Sequence, residues 1–203
     1  MRKTPIYLDN NATTPLRAAA ITAMQDAMGP PANPSSVHGF GRNARLVVET
    51  SRSAVAMLAG CRAADVVFTS GGTEANNLVM AQYDHVITSA IEHDSVRYAH
   101  QNCHQIAVDE NGIVDLDMLA KAIAGIEDAA KPRTLISIMA ANNETGVVQP
   151  MDKIAAMAES ANIALHSDMV QIFGKRHINF AASKVSYASR SAHKIGGPSG
   201  VGA

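Results

Sequence analysis

The sequence predicts an α/β fold, a mostly parallel central sheet with helices on both faces. Three observations predict it. Short apolar runs alternate with longer amphipathic ones from about residue 60 onward. Several of those runs, such as Val66-Val67-Phe68 and Leu135-Ile136-Ser137-Ile138, are apolar almost throughout, as strands covered on both faces are. The chain has 203 residues, enough for one substantial domain with its own core.

The elements follow in order. Residues 1–15 read as an extended arm, in which polar turn formers follow Ile6-Tyr7-Leu8. Leu16 to Met28 has helical spacing and stops at Gly29-Pro30-Pro31. Asn33 to Gly39 is a loop. A long helix runs from about Gly41 to Leu58 and ends near Gly60. Val66 to Thr69 reads as a short buried strand, Ser70 to Thr73 as a tight turn, and Glu74 to Gln82 as a helix. His85–Thr88 is a strand, Asp94 to Asn102 a helical piece, and Gln105–Val108 a strand. Asp109 to Asp115 turns at Asn111-Gly112 before a helix over Leu116–Ile126. Thr134–Met139 is a strand, Ile154–Ala161 a helix, and Ala164–His166 a strand. No repeat, low-complexity stretch or linker interrupts this rhythm.

Composition narrows the functional classes. The net charge is −1, so no basic footprint for nucleic acid or an anionic membrane is present. No apolar run approaches the roughly 20 residues of a membrane span, and no signal-peptide apolar region follows Met1. Cys61 and Cys103 are the two cysteines, far apart and in no metal spacing. No metal site is expected, and a reducing cytoplasm suits them better than a disulfide.

The residues that carry chemistry fall at successive strand ends, where sheets of this type bind ligands. Ser191-Ala192-His193-Lys194-Ile195-Gly196-Gly197-Pro198 places a lysine beside a histidine and a hydroxyl, next to glycines. That is what an enzyme needs to hold a phosphorylated aldehyde cofactor as a Schiff base. Ser70-Gly71-Gly72-Thr73 offers helix-start amides and a hydroxyl to a phosphate. His93 is placed to stack on a heteroaromatic ring, and Asn143 to reach a cofactor oxygen or a substrate carboxylate. Asp168 suits a pyridine nitrogen that must stay protonated, and Gln171 a phenolic oxygen. Each has an ordinary reading too: an N-cap, a structural histidine, turn chemistry, a surface glutamine, a solvated loop lysine. Their common direction is what raises them above it.

On these residues the chain resembles the cysteine desulfurases, pyridoxal-phosphate enzymes of the class V aminotransferase group. The matching segments are Tyr7 to Thr14, Asn33 to Gly39, Phe68 to Asn77, Ile91 to His93, Asn142 to Gln149, His166 to Gln171 and Ser191 to Gly202. The arm and the Asn33–Gly39 loop favour the desulfurases within the group. The resemblance implies pyridoxal 5'-phosphate as cofactor, with Lys194 as its attachment point and His93 stacked on its ring. It implies Asp168 on the ring nitrogen, Gln171 on the phenolic oxygen, and Gly72, Thr73, Ser191 and His193 on the phosphate. Asn143 would lie beside the substrate carboxylate. L-cysteine as substrate, a homodimer and a sulfur-accepting scaffold of iron–sulfur cluster assembly are implied as partners.

The chain departs from the pattern in places. Met169 stands where a small alanine is usual, close behind Asp168, and is expected either to crowd the ring or to be absorbed by its own flexibility. Lys175-Arg176-His177-Ile178-Asn179-Phe180 replaces a more apolar, acidic segment, a change expected to matter little. The family's nucleophilic cysteine, its carboxylate-binding arginine and its small C-terminal domain lie beyond Ala203. Residues 16–203 are therefore expected to be a truncated cofactor-binding large domain, poorly soluble alone, with Cys61 and Cys103 structural. Two other readings stand beside this one. One is an inactive half that needs a partner chain. The other is a selenocysteine lyase or another class V aminotransferase.

Overall fold

The computed structural model describes residues 5–29, 31–176 and 179–203. Five strands form one all-parallel sheet: β1 His85–Ser89, β2 Cys103–Ile106, β3 Thr134–Ser137, β4 Ala164–Asp168 and β5 Tyr187–Ser189, in the order β2-β1-β3-β4-β5. Six helices accompany it: α1 Ala18–Ala27, α2 Gly39–Ala59, α3 Gly72–Met80, α4 Asp94–Arg97, α5 Leu116–Ala124 and α6 Met151–Ser160.

Successive strand residues point to opposite faces, and the core divides accordingly. Val86 and Leu135 pack with Met80 of α3 and Val96 of α4. Their neighbours Ile87 and Ile136, with Leu165, pack with Leu119 of α5 and with Ile154, Ala155 and Ala158 of α6. Helices thus cover both faces, as the near-continuous apolar runs predict. Across the sheet, buried His166 joins three strands, with Nδ1 2.8 Å from Ser137 Oγ and Nε2 2.9 Å from Ser189 Oγ.

Several boundaries differ from expectation. Val66–Thr69 is not a strand. Only Thr69 pairs, in a single antiparallel bridge with Gly202, and Val67 is exposed. A single bridge gives the other apolar residues of the run no ladder to join. The second strand starts and ends two residues early, at Cys103–Ile106, and Val108 instead bridges Val114 around the Asn111-Gly112 turn. The helix at Asp94 stops at Arg97, after which Asn102 N donates to His100 Nδ1 in a turn. Past Arg97 only Ala99 packs on the core before the polar run His100-Gln101-Asn102, too little apolar surface to carry the helix further. β5 is an addition, too short and mixed to stand out. His177 and Ile178 lie outside the described residues.

Helix α1 buries none of its residues, and α2 leaves Phe40, Leu46, Met57 and Leu58 exposed. This is apolar surface of the kind expected to limit solubility.

Gly202 ties Thr69 to Ser191, pairing with both. A Cβ there would lie 2.6 Å from the Gly71 backbone and 2.8 Å from the Arg190 carbonyl. Gly202→Ala is therefore expected to destabilise the chain by about 1–3 kcal/mol, read by urea unfolding. A midpoint equal to that of the native chain would contradict this packing.

Candidate active site

The strand order reverses between β1 and β3, since β2 lies to one side of β1 and all later strands lie to the other. Loops leaving the carboxyl ends of neighbouring strands diverge at such a point and open a crevice. A cleft of about 450 Å³ lies there. Its lining includes Gly72, Thr73, His93, Asn143, Asp168, Gln171, Ser191, His193 and Lys194, so all nine sequence-predicted site residues meet in one place. The lining also includes Asn11 and Asn76, which the sequence reading did not single out. A larger groove of about 600 Å³ between Val66–Thr69 and β5 holds none of the nine.

Each residue has an identifiable support. Asp168 ends β4 and is buried, with Oδ1 accepting from Val170 N and Oδ2 from Asn76 Nδ2, both at 2.9 Å. Burial pushes its carboxyl above the usual range, opposed by those two bonds and by His93 and Lys194. Asn76 is fully buried, and its Oδ1 has no partner. Gly72 opens α3, and a Cβ there would lie 3.0 Å from Val170 Cγ2, so the helix start sits tightly against that side chain. Glu74 accepts from both Ser70 N and Ser70 Oγ, which secures the turn before the helix.

His93 is exposed and caps α4, its Nδ1 accepting from Ser95 N at 3.1 Å. Its ordinary capping role and its place in the cleft coexist. Asn143 donates to Glu144 Oε1 at 2.5 Å, and its carbonyl accepts from Asn11 Nδ2. His193 is bound through its carbonyl to Thr14, N and Oγ1, which pins the arm across the cleft. Burial and the neighbouring Lys194 push the His193 imidazole below its ordinary pKa. Lys194 Nζ donates to the Asn11 and Ala12 carbonyls, at 2.5 and 3.0 Å. Burial lowers the pKa of this amine, and Lys175 adds to the effect. Asp168, Asp9 and Glu144 oppose it.

Met169 is buried in the core cluster with Ile172 and Val185 and does not line the cleft. It points away from Asp168 because adjacent residues alternate faces, so it is absorbed rather than crowding the site. Cys61 and Cys103 are free thiols and neither lines the cleft. Burial raises the pKa of Cys103, the opposite of what a nucleophile needs.

Beside the cleft, fully buried Glu92 accepts from Ser89 Oγ at 2.6 Å and from Met139 N at 2.8 Å, while its Oε2 has no partner. Desolvation pushes it up to about 8. Burial pushes His166 the other way, down to about 3. The signs set a pH profile. Folded Glu92 holds a proton that the unfolded chain releases above about 4.3, so its contribution falls as pH rises toward 8. Folded His166 refuses a proton that the unfolded chain takes below about 6.5, so its contribution rises with pH up to that value. Above about pH 6.5 His166 no longer contributes and Glu92 still does, opposed in part by the lowered lysines Lys175 and Lys194. Stability is expected to drop between pH 6.5 and 8, with Glu92 contributing at most about 1.4 kcal/mol per unit. Glu92→Gln should flatten that drop in thermal melts. An unchanged slope would show that Glu92 is not the group responsible.

Residues 6–203 match the aminotransferase class-V family. The chain belongs to that family. It is 38% identical over 220 aligned positions to the cysteine desulfurase IscS of Dictyoglomus turgidum, covering 99% of this chain and 54% of that protein. The NifS-like protein of Rickettsia africae superposes with a TM-score of 0.92 at 37% identity, over 97% of this chain and 56% of that one. A structure described as SspA in complex with cysteine gives a TM-score of 0.87 at 29% identity, over 97% and 59% of the two chains. The chain spans about half the length of the curated relatives it matches. Among the described residues, no helix is long and apolar enough to cross a membrane, and no cluster of residues suited to hold a metal ion occurs.

Proposed function

We propose that this chain is the pyridoxal-phosphate-binding part of a cysteine desulfurase, with residues 1–15 as arm and 16–203 as large domain. The observation that carries the reading is the meeting of Lys194, Asp168, His93 and Gln171 in one cleft. The donor set fits the cofactor. Asp168 is a carboxylate buried at considerable cost unless a cation meets it, as a protonated ring nitrogen would. Gly72 and Thr73 place the start of α3 in the cleft lining, where its free amides can meet an anion.

When bound, the cofactor supplies an electron sink for bonds broken at the substrate's α-carbon. The chain's residues do the rest. Lys194 Nζ would be the amine that holds the cofactor and, once the substrate's amine has displaced it, the base that moves the α-proton. Asp168 keeps the ring nitrogen protonated, His93 covers one ring face, and Gln171 donates to the phenolic oxygen. Gly72, Thr73, Ser191 and His193 hold the phosphate, and Asn143 lies beside the carboxylate of the substrate, L-cysteine. Sulfur transfer also needs a thiolate, and neither Cys61 nor Cys103 reaches the cleft. These 203 residues alone therefore bind the cofactor and leave cysteine's sulfur in place. The complete activity, conversion of L-cysteine to L-alanine with sulfur passed to an iron–sulfur scaffold, belongs to a longer, homodimeric, cytoplasmic assembly.

The test is to mix the chain with pyridoxal phosphate, reduce with borohydride and map the peptides. The adduct is expected on Lys194. No adduct anywhere would sink the reading.

A further inference from the structure

Lys175 has no part in the reading above, yet its side chain reaches into the wall of the cleft. Nζ donates to Gln171 Oε1 at 2.8 Å and to Asn11 Oδ1 at 3.2 Å. Gln171 Nε2 donates to the Asn11 carbonyl at 3.0 Å, the same oxygen that accepts from Lys194 Nζ. Lys175, Gln171 and Asn11 thus close a ring of bonds against Lys194. Two local features bring them there. Residues four apart in a helical turn share a face, and the backbone from Met169 to Arg176 coils in that way. Gly174 then reverses direction at φ 73°, where a Cβ would lie 2.9 Å from Ile195 Cγ2.

A primary amide has an accepting end and a donating end, and its two flipped orientations are equal until something distinguishes them. An ammonium only donates. Facing Lys175, Gln171 must turn its oxygen outward and its NH2 toward the Asn11 carbonyl. A bond from a charged donor is about twice as strong as a neutral one, so this preference dominates.

We propose that Lys175 is a positioning residue that fixes the orientation of the Gln171 amide and so makes Gln171 a hydrogen-bond donor into the cleft. The identity of the acceptor, a phenolic oxygen, rests on the function proposed above; the orientation does not.

Two measurements test this. In the cofactor-free chain, the side-chain NH2 signals of Gln171, assigned by their loss in Gln171→Glu, are expected to move or broaden in Lys175→Met. Lys175→Arg keeps a donor-only cation and should leave them in place, as should Lys153→Met on α6. Lys175 is exposed, so truncation should leave the fold intact, and Lys175→Ala provides a second truncation. Pyridoxal phosphate affinity is expected to fall about tenfold in Lys175→Met, the worth of one such bond, and to return in Lys175→Arg. Unmoved Gln171 signals in both truncations overturn the proposal. So does a shift of equal size in Lys175→Arg, which would mark a packing role, or an undiminished affinity in Lys175→Met. If the native chain fails to bind pyridoxal phosphate, the function proposed above falls, and the amide signals still decide the role of Lys175.

Discussion

Lys194→Ala is expected to abolish the borohydride-stable adduct while leaving weaker, reversible binding of pyridoxal phosphate. A carbonyl is attacked by a neutral amine, so the reacting lysine must part with its proton near neutral pH. Burial and Lys175 both press Lys194 in that direction. The rate of adduct formation should therefore rise with pH through a midpoint below that of a free lysine. Lys175 is the rival, since burial lowers its pKa as well. It does not line the cleft, however, and two of its three donors are held by Gln171 and Asn11. Peptide mapping separates the two, and an adduct that persists at native level in Lys194→Ala would remove the proposed attachment point.

Asp168→Asn is expected to do two opposite things. The cofactor-free chain should become more stable, by about 1–3 kcal/mol at neutral pH, because a buried carboxylate without a cation is replaced by a neutral group. The surroundings can satisfy that group. Asn76 Oδ1 lacks a partner, and a flip of Asn76 would turn it toward the new NH2. Val170 N would keep its acceptor. The gain should grow as pH rises above the carboxylate range, since raised acids weaken the fold in that direction. Affinity for pyridoxal phosphate should meanwhile fall roughly 10- to 100-fold, the worth of a hydrogen bond to a charged partner. Melts and titrations on one preparation read both. A variant that loses stability and keeps affinity would show that Asp168 serves the fold and not a ligand.

The sequence reveals the centre of the sheet and blurs its edges, for a physical reason. β1, β3 and β4 are buried almost throughout, and each is marked by an adjacent apolar pair, Val86-Ile87, Leu135-Ile136 and Ala164-Leu165. Tyr187-Ala188-Ser189 is short and partly exposed, and gives no such signal. Val66-Val67-Phe68 is apolar without a ladder, because burial and strand pairing are separate events. Gly72, Thr73, His93, Asn143, Asp168 and Gln171 are legible because each follows a predicted strand, whereas Ser191, His193 and Lys194 follow the unpredicted β5 and stand out by their chemistry alone. Asn11, Asn76 and Lys175 are not legible. Asn11 and Asn76 act through partners 160 and 92 residues away, which nothing local marks, and Lys175, though four residues from Gln171, is brought to it by the Gly174 turn.

The carbonyls of Asn11 and Ala12 that hold the Lys194 amine give the leading segment a second employment. A Lys194 nitrogen committed elsewhere would take one donor from each oxygen, and the arm would then rest on the Gln171 amide at Asn11 and on the two Thr14 bonds to the His193 carbonyl.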